Sequence, residues 1–460
     1  EFRFNLRPIA LLAFGCVLFT TCAVAAAAHY LLGFSWATGF LLGAIIAPPD
    51  VVAPLAIARR LGLPRRLMVV LEGEGLANDA TALILYRFAV VAVTTGTFSA
   101  SEAAGTFILI VIGEIIFGIA VGWLSLRLRQ WAREPRVEIT LSLMTPYLAY
   151  WLPEHLGGSG VLATVACGLY VSWNGPRLIA SATRLQGIFF WDLIVYLIEG
   201  LVFLLTGLQA RTLFEQSHLF TIHELVVATV LTTVIAIVAR FIWVFPATYI
   251  PRWASAGLRE RDPSPPWQGP FFLSFTGVRG VVSLAAALAI PYTLANGEPF
   301  PHRELIQYVT FGVIIFTLVG QGLVLPSMVQ WLGLNRLGLI ERKDEIKREL
   351  RARQQALKQV KKRLEKAIKN CGLPKDAIEH LRTRNASRLQ VLPTNLTEGL
   401  AHMRQTAQIK TALIEAERDF IYKLLRDGKI TDEARRRIEY ELDLEEASVA
   451  NRGKDGGGWM

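Results

Sequence analysis

Charge is scarce over most of this sequence, and that scarcity excludes a good deal. Only 19% of the 460 residues are charged, against 52% hydrophobic. Up to residue 337 the charges sit in short basic loops between apolar blocks, too few to clothe a soluble globule, whereas residues 338–460 are densely charged. The composition points to an all-α polytopic membrane domain over 1–337 and a charged helical domain over 338–460. Cysteine is scarce too: Cys16, Cys22 and Cys167 lie in apolar segments and Cys371 in the charged tail, without metal-ligand spacing, so free thiols are expected. Histidines such as His29, His155 and His302 are scattered near helix ends and make no cluster. The stretch HELVV (223–227) would open a zinc-hydrolase motif, but Val227 stands where the second histidine is needed. A membrane-embedded hydrolase is the alternative that motif would have supported, and it lacks the ligand set. The chain begins Glu1-Phe2 without methionine and shows no cleavable signal sequence, so its natural start is expected upstream.

What is present is a run of apolar segments. Ten are long enough to cross roughly 30 Å of hydrocarbon. They lie near 8–33, 35–58, 67–98, 104–127, 137–153, 158–175, 187–211, 221–250, 269–294 and 305–330, the fifth short enough to be tilted or re-entrant. Basic residues concentrate in alternate connections, among them RRLGLPRR (59–66), RLRQWAREPR (127–136) and PRWASAGLRER (251–261). That alternation puts these loops and the tail on the cytoplasmic side. It also accounts for the net charge of +10 by topology, so no nucleic-acid partner is expected.

Two spans are interrupted. In the second, Pro48 and Pro49 remove amide donors and clash one turn back, which leaves Asp50 beside unpaired backbone oxygens. In the ninth, Gly277 and Gly280 flank Arg279. Broken helices at membrane depth survive only against protein or a water-filled cavity, and a matched pair suggests an inverted-repeat transporter; ordinary kinks in a bundle are the alternative. The third span carries LEGEGLANDATALILY (71–86), with Glu72, Glu74 and Asp79 among apolar neighbours. Each unpaired charge there costs about 2.5 kcal/mol or more. Glu74 and Asn78 share a helix face, and Asp79 lies about 18 Å along the helix from Leu67, near mid-membrane. Paired with arginine or backbone amides, Asp50 and Asp79 would be inert; left desolvated, they would be poised between a proton and a cation.

The blocks GAIIAPPDVVA, EGEGLANDATALILYRFA, GVLATVACGLYVSW, LIEGLVFLLTGLQA and FTGVRGVVSLAAALAIP are similar, in this order, to the membrane domain of the bacterial branch of the cation:proton antiporter-1 family of sodium/proton exchangers. The resemblance covers almost all of 8–335. It implies a thirteen-helix inverted-repeat fold with two crossing, partly unwound helices, of which this chain lacks about three N-terminal ones, largely from the dimerisation side. It also implies a homodimer. Matched residue by residue, the family's Asn-Asp pair falls on Asn78 and Asp79, its preceding Glu on Glu74, its unwound-helix aspartate on Asp50, its glycine-flanked arginine on Arg279 and the polar residue of a later block on Glu199. Asp79 then takes cation and proton in turn, with Asp50 and Asn78 beside it, and Na+ held by Asp79 and Asp50. Arg279 is expected to be held by Glu74 or Glu199, since a buried guanidinium needs a carboxylate. Two departures remove hydroxyl oxygens from the cation's surroundings: Pro49-Asp50-Val51 stands for the family's Thr-Asp-Pro, and Gly75 for its serine.

The expected activity is secondary active antiport of a monovalent cation, Na+ with Li+ or K+ as alternatives, against H+. It would serve pH and sodium homeostasis across a bacterial plasma (inner) membrane, with no enzymatic activity and no cofactor beyond the transported ions. Asn78 cannot ionise, so one titrating carboxylate at the pair predicts electroneutral exchange. A cation channel or sensor on the same fold is the alternative. In the tail, Leu350, Leu357 and Leu364 recur every seven residues with Ile346, Val360 and Ile368 near the same side, a coiled-coil-like seam. Further helices are expected at 374–389, 397–426 and 431–447, and KQVKKRLEK could touch anionic lipid.

Overall fold

The computed structural model describes residues 2–96, 100–158, 160–216, 221–294, 297–369, 375–390 and 396–453. Cys371 lies outside the described residues. The described chain is helical nearly throughout, with one isolated β-bridge, Thr293 to Pro299. It divides into two compact units, Glu1–Gly338 and Leu339–Met460.

Each expected span meets a helix. In order they are α1 (Leu6–Leu32), the broken pair α2 (Trp36–Ile46) and α3 (Val52–Leu61), α4 (Arg65–Thr95) and α5 (Ala100–Ala132). There follow α6 (Pro135–His155), α7 (Val161–Leu178), α8 (Ser181–Gln216) and α9 (Ile222–Ala254). After the short α10 (Ala256–Arg261) come the second broken pair, α11 (Gln268–Phe275) and α12 (Val281–Leu288), and then α13 (Arg303–Trp331). Among the described residues, five helices are long and apolar enough to cross a membrane: α1, α4, α9, α13 and the 105–132 portion of α5. The 137–153 span, expected to be short, belongs to the 21-residue α6.

Packing sorts these helices into two groups. One joins α1–α4 with α9 and α11–α13; in the other, α5 packs on α6 and α7, and α6 on α8. The first group holds two apolar clusters. One gathers Leu41, Ile45, Ala287, Ile290 and Val309 around α2 and α12. The second gathers Ala58, Leu71, Val244, Phe272 and Val329 around α3 and α11. The polar crossing of the two broken helices lies between them. Lipid supplies no hydrophobic drive between helices, so close contact relies on small residues. A Cβ added at Gly43 would overlap the Thr21 carbonyl of α1, and one at Gly118 the Ala163 carbonyl of α7. Cys16 and Cys167 are buried free thiols, and Cys22 is an exposed one.

In the second unit, α14 (Leu334–Lys369) continues through the expected seam: Leu357 is buried, Leu350 and Leu364 half-buried, and Val360 exposed. Helices α15 (Lys375–Gln390), α16 (Leu396–Arg426) and α17 (Asp432–Gly453) follow. The α16–α17 hairpin buries Ile414, Ile421, Leu442 and Val449 and ties Arg418 to Glu446 at 2.6 Å. Thr431 caps α17 by accepting from the Ala434 N–H at 3.2 Å. Its first-turn Asp432 is held below the usual carboxylate range by its hydrogen bond to Arg435.

The α1–α2 contact yields a stability test. Gly43→Val should overpack it and cost about 1–3 kcal/mol, lowering the thermal midpoint of the detergent-solubilised chain. The same change at Gly168, where an added Cβ meets open space, should shift the midpoint less.

Candidate functional site

The two breaks meet each other. Where α2 unwinds after Ile46, the Asp50 N–H turns from its own helix to the Val278 carbonyl of the other break, at 2.7 Å. Arg279 answers in the opposite direction, its Nε donating to the Ile46 carbonyl at 2.5 Å and its Nη1 to the Gly277 carbonyl. The Arg279 N–H is held by Thr317 of α13 at 3.0 Å. Gly280 is required by this approach, because a Cβ there would overlap the Asp50 side chain.

The half-helix ends carry opposite partial charges, and at three of the four a side chain matches them. Carbonyl-rich C-termini are negative and amide-rich N-termini positive. Arg279 sits at the C-terminus of α2, and Arg240 of α9 donates from Nε to Leu273 near the C-terminus of α11 at 2.9 Å. At the N-terminus of α3, Asp50 Oδ1 accepts from the Val52 N–H at 2.9 Å.

The structure corrects the expected ion pair. Glu74 does not meet Arg279: it is gripped from both oxygens by Arg240, Nη1 to Oε1 at 2.5 Å and Nη2 to Oε2 at 2.8 Å, with both side chains fully buried. Arg279 is satisfied by backbone carbonyls, since a broken C-terminus presents the partial negative charge that a carboxylate would otherwise supply. Glu199 is likewise not part of that pair; it lines a cavity with Asp50 and Asp79. Two oxygens at the first break are not left open, as Ile46 O is taken by Arg279 and Pro49 O accepts from Asn78 Nδ2 at 2.7 Å. Asn78 is thus buried as a strut between α4 and the break, and Asp79, its neighbour, is half-buried. Glu72 stands apart, in an exposed pair with Arg59 at 2.8 Å.

The cavity measures about 210 Å³. Around it stand Asp50, Asp79, Glu199 and Ser283, with Gly75 and Gly280 leaving room. Ser283, on α12, supplies a hydroxyl where Gly75 has none. Among the described residues, no group of three or more His, Cys, Asp or Glu has metal-binding geometry. The site is a cavity with three carboxylates in its lining.

Sequence reasoning missed Arg240. The signal was a lone arginine inside the apolar run of α9. An ionisable residue at that depth carries a function or a partner by default. Ser283 was missed because a serine in a helix is too common to stand out.

Residues 1–331 match the family of transmembrane sodium/hydrogen exchangers. A sodium, potassium, lithium and rubidium/H(+) antiporter of Bacillus pumilus is 35% identical over 70% of this chain and 49% of its own, so this chain spans about half of that relative's length. An antiporter of the same name from Bacillus subtilis is 30% identical over 98% of this chain and 68% of its own. A solved sodium proton antiporter of Methanocaldococcus jannaschii superposes with a TM-score of 0.49 and 17% identity, over 72% of this chain and 80% of that one.

The buried pair supplies a prediction. Arg240→Ala leaves Glu74 charged and dry, and should cost roughly 3–5 kcal/mol, visible as lost expression and a lowered thermal midpoint. Arg279→Ala frees only carbonyls, so its loss should be smaller. Equal destabilisation by the two would put Arg279 in an ion pair after all.

Proposed function

This chain belongs to the transmembrane sodium/hydrogen exchanger family, and from that premise we propose that it is a secondary antiporter exchanging a monovalent cation for H+. It is a multi-pass membrane protein. The observation that carries the reading is the chamber lined both by Asp79 of α4 and by Asp50 of the first break. In the proposed cycle Asp79 releases a proton to one side and binds the cation with Asp50. The occupied chamber then opens to the other side, where the cation leaves and a proton takes its place on Asp79. A hard monovalent cation needs several oxygens, argued by analogy with other hard ions; Glu199, Ser283 and water complete the set. Na+ is the cargo proposed first. The names of the Bacillus relatives add potassium, lithium and rubidium, and a chamber of this kind suits such breadth. The membrane is proposed to be the bacterial plasma membrane and the tail cytoplasmic, on the side of the basic loops, with a homodimer as the working assembly. No enzymatic step and no cofactor enter the proposal.

Because Asn78 cannot ionise and Asp50 stays bound to the N-terminus of α3, the cycle moves one cation or one proton per half turn and is electroneutral. Glu199 in the same chamber supports a second reading, in which it also yields a proton and the cycle carries net charge.

Three measurements decide. Asp79→Asn fits the same space but cannot trade a proton, so exchange in proteoliposomes should vanish while the thermal midpoint holds; near wild-type transport would remove Asp79 from the mechanism. Lowering pH should raise the apparent cation KM with little loss of maximal rate, since both ions compete for one carboxylate. With the potential set by potassium and valinomycin, the sodium-driven rate should be insensitive to voltage, and a strong dependence that Glu199→Gln abolishes would favour the second reading.

A further inference from the structure

A second cavity, of about 70 Å³, opens between the starts of α1 and α4, the end of α9 and the start of α11. Its walls are apolar, Leu11, Val70 and Val244 among them, yet Arg7, Arg66 and Arg252 also line it. Asp262 bridges two of these, Oδ1 accepting from Arg66 Nη2 at 2.6 Å and Oδ2 from Arg252 Nη2 at 2.5 Å. Arg252 is further spent on backbone, donating to the Asp262 carbonyl at 3.1 Å and to the Thr248 carbonyl. Arg7 is not spent: its Nη2 is buried without a hydrogen-bond partner. Three guanidiniums against one carboxylate leave two positive charges in excess over an apolar floor.

Cations that converge over an apolar floor, one of them buried and two half-buried, are better satisfied when an anion joins them, and the planar guanidinium fork fits phosphate oxygens. We propose that this cavity binds a phosphate group, taken by Arg7 and Arg66, with the apolar walls receiving whatever hydrocarbon the phosphate carries. Two sources share that chemistry: the head group of an anionic phospholipid, which basic pockets between spanning helices at the membrane boundary receive, and free inorganic phosphate. The site lies at the beginning of the helix that carries Asn78 and Asp79 and of the half-helix α11.

The test is binding by the full chain purified in detergent, read by native mass spectrometry and by thermal midpoint. The additions are phosphatidylglycerol, phosphatidylcholine or sodium phosphate, and the proteins are the wild type, Arg7→Gln and Arg7→Lys. Arg136→Gln, an exposed arginine elsewhere, serves as control. Arg7→Gln should weaken phosphate-group binding about tenfold, Arg7→Lys less because the charge remains while the fork is lost, and Arg136→Gln not at all. Stabilisation by phosphatidylglycerol but not by sodium phosphate assigns the site to lipid; stabilisation by both, abolished by Arg7→Gln, assigns it to the free anion. Should Arg7→Gln fail to fold, the Arg7→Lys comparison carries the result. Equal binding of phosphatidylglycerol by the wild type and both Arg7 variants, or equal retention of the zwitterionic lipid, would overturn the site.

Discussion

No water reaches the middle of a bilayer to satisfy a broken helix, so every backbone group released by unwinding must find a partner inside the protein. That requirement organises the membrane unit. The two breaks satisfy each other first, through the Asp50 N–H on Val278, and two arginines take the remaining burden at Ile46, Gly277 and Leu273. Each arginine is a charge needing its own compensation. Arg240 receives it from Glu74; Arg279 receives it from the carbonyls it holds.

This arrangement explains why α4 can carry so many polar residues. Glu74 lies one turn before the adjacent pair Asn78 and Asp79 on one helix, and each faces a different demand. Glu74 neutralises Arg240, Asn78 holds Pro49 O, and Asp79 is left to the chamber. Gly75 and Gly280 are the vacancies that let the chamber exist between them, since a Cβ at Gly75 would overlap Val51 and one at Gly280 would overlap Asp50. The first two residues are held by structural partners, which leaves the third at the cavity wall.

Much of this was legible in the sequence, for a simple reason: charges and paired prolines inside apolar runs are costly, and they mark themselves. The apolar stretches that meet helices, both breaks and the polar positions Asp50, Asn78 and Asp79 within them could be read that way. Pairing could not. Arg240 lies 166 residues from Glu74, and nothing in spacing says which of two buried arginines a carboxylate will meet. The assignment to Arg279 followed from the rule that a buried guanidinium needs an acid, and it failed because the end of a broken helix supplies the same negative potential from its carbonyls. Glu199 was recognisable as a polar residue in an apolar block, but whether it paired or faced a cavity depended on the packing of α8. In the tail, the seven-residue spacing located the helix, while the burial of Leu357 over Val360 depended on neighbours that periodicity does not name.

The same economy bears on why the site would exchange ions rather than conduct them. Channels that pass cations quickly can line the path with backbone carbonyls, which bind a cation without competing for protons. Here the carbonyls of Ile46, Pro49, Leu273, Gly277 and Val278 are already engaged by side chains or by the opposite break. The oxygens left facing the chamber come chiefly from Asp50, Asp79 and Glu199, and a carboxylate in a poorly solvated place must hold either a cation or a proton to be stable. On the proposed reading, a fold that uses its carbonyls to mend its own breaks leaves the chamber chiefly ligands that titrate, so that binding one ion would favour releasing the other.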